Sequence, residues 1–211
     1  MKTTWMTTTT ISAALCAGLL ATAGAARADA VVGQPAPAFS ATDAAGRTVA
    51  LADYKGKYVV LEWVNPGCPF VQKHYDSGNM PATQKASTAK GVVWLAVNST
   101  EKASGDYLAP TELSAWMARK GGAPTATLMD SDGKVGRAYG ARTTPHMFVV
   151  DPQGKLVYAG AIDSKPSANP ADIKTATNYV DQALGEVLAG KPVSQPTSRA
   201  YGCSIKYASA G

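Results

Sequence analysis

The apolar stretches of this chain are short, and their residue types separate strands from helices. Residues 58–64 read Tyr-Val-Val-Leu-Glu-Trp-Val, β-branched or aromatic at almost every position, as expected of a central strand covered on both faces. Residues 91–97 repeat that character and predict a second buried strand. Ahead of them, 38–42 and 48–51 are strand-like runs with Ala45-Gly46 in the turn, which predicts a leading β-hairpin within residues 32–54. Behind them, 126–129 predicts a short strand. Residues 147–151 and 155–160 predict a hairpin turned by Pro152-Gln153-Gly154.

Helical signals fall between these runs. A helix is expected to begin at Cys68-Pro69, because proline is favoured at the first helical position, where its missing N–H costs nothing. Residues 111–120 place Leu113, Trp116 and Met117 on one stripe, with Thr111 as N-cap before Glu112. Residues 134–139 predict a short helix ended by Gly140. The preceding Asp130-Ser131-Asp132-Gly133 reads as a turn or helix start, since it lacks the other ligands and closing glutamate of a calcium loop. A final amphipathic helix spans 178–189 before Gly190, its start left open between Pro170, Asp172 and Asn178. Residues 163–172 form an inserted loop that could shape a docking surface. From Lys191 the periodicity is lost, and the chain reads as an irregular arm held down only if Cys203 tethers it. Alternating strands and helices make this an α/β domain with a mixed central sheet. Trp63, Trp94 and Trp116 are expected in its core.

The first residues change what counts as the working chain. Met1-Lys2 is positive, residues 11–23 are apolar and small, and Ala26-Arg27-Ala28 fits the small-x-small cleavage rule. This predicts a signal peptide over 1–28, a domain over 29–190 and an arm over 191–211, with the product periplasmic or secreted. The apolar run is short for a membrane span, so no stable insertion is expected after cleavage; an uncleaved anchor is the alternative. Cys16 leaves with the signal, so Cys68 and Cys203 are the cysteines of the mature chain. Losing Lys2 and Arg27 leaves 18 basic against 15 acidic residues, a net charge of +3. With no basic run or basic-aromatic stripe, nucleic acid is not an expected partner.

Several motifs carry a resemblance. Gly33-Gln34-Pro35-Ala36-Pro37-Ala38-Phe39 opens the pattern, and Asp43, Gly46, Leu51 and Lys55-Gly56-Lys57 continue it. Cys68-Pro69-Phe70-Val71 matches an active-site corner, Thr144-Pro145 a cis-proline loop, and Tyr201-Gly202-Cys203-Ser204-Ile205-Lys206 a C-terminal signature of one bacterial redoxin subgroup. Together they resemble the peroxiredoxin-like branch of the thioredoxin superfamily, the group of alkyl hydroperoxide reductase and thiol-specific antioxidant proteins. The resemblance covers about 170 residues and implies a thioredoxin fold with the hairpin added in front. There are departures. No Cys-x-x-Cys is present, since Asn65 and Val71 stand at the two possible second positions. Leu61 and Asn65 replace the proline and threonine of typical peroxiredoxins. Pro145 stands where their arginine would be, with Arg142 nearby as a possible substitute.

What the resemblance implies is a thiol oxidoreductase that needs no cofactor. Cys68, at a helix N-terminus, is the expected nucleophile, because unpaired N–H groups and the helix dipole favour a thiolate there. Thr144 and Pro145 would dock an extended substrate, and Asn65 would hydrogen-bond the thiolate or a peroxide. Attack on a hydroperoxide would give a sulfenic acid, which a second thiol converts to a disulfide. Cys203 is the expected resolving partner, in the same chain or another subunit, for a hydroperoxide or protein disulfide as substrate and an external thiol as reductant. Oligomeric state is left open. Two other readings stand beside this one. A permanent Cys68–Cys203 staple would make the domain a non-catalytic binding scaffold, closing a loop worth up to about 5 kcal/mol. Copper handling would use Cys68 with His146. His74 lies about 240° around the helix from Cys68, and two such ligands make a poor closed site, so no metal site is assigned. Glu62, the odd charge in an apolar strand, either faces a solvated edge or shuttles protons for Cys68.

Overall fold

The computed structural model describes residues 30–209 together with Met1 and Lys2; the predicted cleavage point and the apolar segment before it lie outside the described residues. The strands are β1 (Ser40–Asp43), β2 (Thr48–Ala50), β3 (Val59–Trp63), β4 (Val93–Asn98), β5 (Ala126–Met129), β6 (Thr143–Thr144), β7 (His146–Val150), β8 (Leu156–Gly160) and β9 (Cys203–Ser204). The helices are α1 (Pro69–Asp76), α2 (Asn79–Thr88), α3 (Pro110–Arg119), α4 (Lys134–Ala138) and α5 (Tyr179–Leu188). Seven strands form one sheet in the order β2-β1-β5-β4-β3-β7-β8, and β6 pairs separately with β9. β3 runs parallel to β4 and antiparallel to β7, so the sheet is mixed. The leading hairpin joins it through β1, which pairs antiparallel with β5.

β3 lies inside the sheet between β4 and β7, with every residue buried. Alternation sends Val60 and Val64 to one core, which α1, α2, α3 and α5 cover. It sends Val59, Leu61 and Trp63 to the other, which α4 and the leading segment cover. Trp63, Trp94 and Trp116 are buried as expected. Trp63 donates to Ser99, Ser99 to Asp130, and Asp130 accepts the N–H groups of Val135 and Gly136. The Asp130–Gly133 turn therefore serves as the cap of α4.

The structure corrects several expectations. α3 begins two residues earlier than a Thr111 cap would have started it: Ala109 is the N-cap, Pro110 follows, and Glu112 accepts the Ala109 N–H at 2.8 Å. Asn178 caps α5 through Val180 and Asp181, while Pro170–Thr175 is a separate 3-10 turn. α2 carried no legible apolar stripe because its buried face is largely polar: Thr83, Gln84 and Ser87 beside Met80 and Pro81.

Glu62 is the reason that polar face can be buried. It faces no solvated edge: it is 0 % exposed, on the helix-covered side of the sheet. Tyr75 of α1 donates to one carboxyl oxygen at 2.8 Å; Gln84 of α2 (2.9 Å) and Trp94 of β4 (2.7 Å) donate to the other. Burial raises its pKa, and these three donors oppose the rise. The carboxyl thus ties two helices to the sheet.

The C-terminal arm is also corrected. It is docked along its length by contacts independent of any disulfide. Ser198 accepts the Ala161 N–H at 2.8 Å and bonds the Tyr158 hydroxyl. Thr143 and Thr144 pair with Ser204 and Cys203. Glu101 donates its N–H to the Lys206 carbonyl. Tyr207 donates to the Ala141 carbonyl, stacks under Arg137 and lies so close over Gly136 that a Cβ there would come within 2.2 Å of its hydroxyl.

Replacing Glu62 with Gln puts an NH2 where donors already converge, so at least one buried donor loses its acceptor. The expected cost is about 1–3 kcal/mol, read as a lower urea midpoint with an unchanged slope.

Candidate active site

Cys68 is the N-cap residue of α1, with extended backbone and Pro69 following at the first helical position. The loop before it is built by Asn65, whose Oδ1 accepts the Gly67 N–H (2.8 Å) and whose carbonyl accepts the Cys68 N–H (3.0 Å). The Gln72 side chain donates to the Pro66 carbonyl and closes the turn onto the helix. Asn65 is therefore placed as a shaper of the loop, its carbonyl oxygen already taken by backbone.

Cys68 is 1 % exposed. Its Sγ donates to the Thr144 carbonyl at 3.0 Å, and the Thr144–Pro145 peptide bond is cis. Two residues 76 positions apart thus meet as the fold requires of a cis-proline loop. The Thr144 hydroxyl beside them is buried without a hydrogen-bond partner.

The arm completes the site. Register pairs Cys203 with Thr144, the residue that already holds Cys68. Cys203 therefore lies beside Cys68, and both are free thiols. Proline at the first position has no N–H, so Phe70 supplies the first amide the helix end can offer. Burial, with the neighbouring Cys68, pushes the Cys203 thiol up to about 12, against the opposing pull of Lys206 and the Phe70 N–H. Gly202 permits the approach: its φ is +134°, and a Cβ would lie 2.0 Å from the Thr144 carbonyl oxygen. A cleft of about 580 Å³ opens beside Gly202 and Thr143, walled partly by Asp163, Ser164 and Pro166 of the inserted loop.

The remaining candidates sit differently. Glu62 makes its hydrogen bonds to Tyr75, Gln84 and Trp94, inside the core. Arg142 is exposed; its carbonyl accepts the Ile205 N–H of the arm, and its charge acts on His146. The His146 ring stacks on Phe148, and its Nδ1 accepts the Arg142 N–H at 3.4 Å. Both nitrogens of His74 are engaged, Nδ1 with Asn79 (2.9 Å) and Nε2 with Tyr201 (3.2 Å). Among the described residues no group of three or more His, Cys, Asp or Glu side chains is arranged to hold a metal ion.

A set of residues that the sequence reading passed over lies behind the thiols. Lys73 and Asp163, both essentially buried, form an ion pair at 3.3 Å, and Lys73 also donates to the Lys165 carbonyl at 2.9 Å. Tyr201 donates to Asp163 and stands edge-on to Phe70, with the Lys73 ammonium 5.5 Å from its ring centre. The available signal was the helical spacing: Lys73 and His74 follow Phe70 by three and four positions, on one face of α1.

Two outcomes follow. Gly202→Ala forces the arm off the Thr144 carbonyl, so in the reduced protein Cys68 should be alkylated by iodoacetamide about 10-fold faster, equivalent to about 1.4 kcal/mol of lost docking. The second concerns pH. Burial pushes His74 down to about 4, with Asp163 opposing and Lys73 adding to the shift. The unfolded imidazole binds its proton near 6.5, so between pH 6.5 and 4 the unfolded state holds more protons and stability falls as pH falls. From pH 7 to 4.5 the wild type should lose about 2.5 kcal/mol more than a His74→Gln variant, by urea denaturation at both pH values.

Comparison with known proteins bears on the fold and the family. Residues 32–159 match the profile of the AhpC/TSA family. The thiol-disulfide oxidoreductase ResA of Bacillus thuringiensis is 25% identical over 126 residues, 60% of this chain and 67% of ResA. An uncharacterized conserved protein from Geobacillus kaustophilus superimposes with a TM-score of 0.72 at 28% identity, covering 86% of this chain and 94% of that one. The thioredoxin domain of a thiol-disulfide oxidoreductase from Bacteroides vulgatus shares the fold, with a TM-score of 0.50 at 24% identity over 69% of this chain and 96% of that domain. With a mixed sheet, a cysteine capping α1 and a cis-proline loop facing it, the chain has a thioredoxin fold and belongs to the AhpC/TSA family.

Proposed function

We propose that this thiol oxidoreductase of the AhpC/TSA family is exported and works by thiol–disulfide exchange, with Cys68 as nucleophile and Cys203 as its resolving partner in the same chain. One observation carries the reading: Cys203 is paired in register with the residue whose carbonyl holds Cys68, which sets two free thiols side by side at the N-terminus of α1. A resolving cysteine needs to reach the first sulfur without a long search, and the pairing of Cys203 with Thr144 supports that role. The relative named as a thiol-disulfide oxidoreductase supports the same chemistry.

In the reaction, the Cys68 thiolate attacks one sulfur of a substrate disulfide. That bond breaks, one substrate thiolate leaves, and a mixed disulfide forms on Cys68. Cys203 gives its proton to the departing thiolate and attacks the Cys68 sulfur. The second substrate sulfur leaves as a thiolate, and the Cys68–Cys203 disulfide remains. Two electrons have passed from the pair to the substrate, and an external thiol returns them by the reverse exchange. The positive end of the α1 dipole favours the negative charge that each step places on sulfur. The docked arm covers Cys68, so a protein disulfide reaches it when the arm lifts.

That cover also favours a second oxidant. A small hydroperoxide needs less opening: its O–O bond would break on attack by Cys68, giving a sulfenic acid that Cys203 converts to the same disulfide with loss of water. The staple reading is weakened by the arm's own anchors at Ser198, Tyr201 and Tyr207, which hold it without a covalent bond.

The test is a redox-buffer titration of the mature protein, with alkylation and intact mass as readout. A Cys68–Cys203 disulfide between about −120 and −270 mV is expected; a value below about −300 mV would make the bond a structural staple and overturn the assignment. A Cys203→Ser variant should then accumulate Cys68 mixed disulfides with substrate, or its sulfenic acid with hydroperoxide.

A further inference from the structure

Behind the two thiols, buried polar groups form one chain. The Asn79 amide nitrogen faces Nδ1 of His74 at 2.9 Å, which makes Nδ1 the acceptor and leaves the ring proton on Nε2. Nε2 lies 3.2 Å from the Tyr201 hydroxyl, which donates onward to Oδ1 of Asp163. Oδ2 of Asp163 receives Lys73. Each donor in that series has an acceptor, and the series ends in an ion pair closed off from solvent on both sides. The exchange chemistry uses none of these groups.

Their place in the fold gives them a use. Lys73 and His74 lie on α1, whose first turn carries Phe70 and whose N-cap is Cys68. Tyr201 and Cys203 flank Gly202, whose φ of +134° bends the segment, and both pack against the core edge that holds Cys68 and Val71. The Tyr201 ring packs on the Phe70 ring at 5.8 Å, and Phe70, Tyr201 and Cys203 pack against the same core cluster. Seating the phenol therefore sets the register of the residue two positions on.

We infer that Tyr201 is a positioning residue for the Cys68–Cys203 couple, its hydroxyl latched between His74 and Asp163 so that Cys203 is held against Cys68. The inference rests on the exchange reading above and adds what sets the effective concentration of one thiol at the other. In Tyr201→Phe, Oδ1 of Asp163 keeps the Lys165 N–H at 2.9 Å, while the His74 Nε2–H loses the hydroxyl as acceptor.

The measurement is the equilibrium constant between the reduced pair and its disulfide in glutathione buffers, which is the effective molarity of the couple. Tyr201→Phe is expected to lower it about 10-fold, a potential about 30 mV less negative. Tyr139→Phe removes a hydroxyl that donates to the Pro37 carbonyl, away from the arm, and should leave the constant within about twofold whatever it does to the melting temperature. A Tyr201→Phe constant within twofold of wild type, or an equal shift in Tyr139→Phe, would overturn the inference. If the wild type forms no Cys68–Cys203 disulfide, it is the exchange reading that fails. Iodoacetamide labelling of reduced Cys203 then decides the latch: about 10-fold faster in Tyr201→Phe supports it, and an unchanged rate sinks it.

Discussion

Helix α1 has to bury polar groups on two sides, and the rest of the molecule is arranged around how it does so. Its C-terminal half sends Tyr75 inward to the carboxyl of Glu62. Its outer side presents Lys73 and His74 to Asp163 and to the arm. Its N-cap, Cys68, sends its thiol to the Thr144 carbonyl, beside the strand that carries Cys203. A buried polar group without a partner costs about 1–3 kcal/mol, so each of these contacts is an obligation that another element has to meet.

Meeting them knits distant parts together. Glu62 draws α2 onto the sheet, though that helix has little apolar surface of its own to bury. The inserted loop after β8 supplies Asp163, which neutralises Lys73 and accepts from Tyr201. The arm then closes over the cysteine corner and adds β9 to β6, the edge beside the cis-proline. Stability and site geometry come from the same bonds: the contacts that satisfy α1 also place Cys203.

This explains a site that departs from a two-cysteine motif within one helical turn. With Asn65 shaping the loop and Val71 in the core, α1 carries a single sulfur. The second arrives from 135 residues further along the chain, and its proximity depends on the docking of the arm rather than on a short spacing. A couple built that way can be tuned through the seat of the arm, at positions that touch neither sulfur.

Much of this was legible in the residues. The β-branched runs determined β3 and β4 because a strand buried on both faces has to be apolar throughout. Cys68-Pro69 marked the start of α1, since the rules of helix starts are written in local sequence. Tertiary structure alone decided the rest. Glu62 could have faced solvent or core, and three donors from three separate elements chose the core. The arm read as irregular because its order comes from anchors at Ser198, Tyr201 and Tyr207 on partners far away in sequence, and no periodicity within 191–211 encodes them. The pairing of Lys73 with Asp163 was hidden for the same reason: a buried charge is stable only where its counter-charge lies, and that is a property of the folded chain.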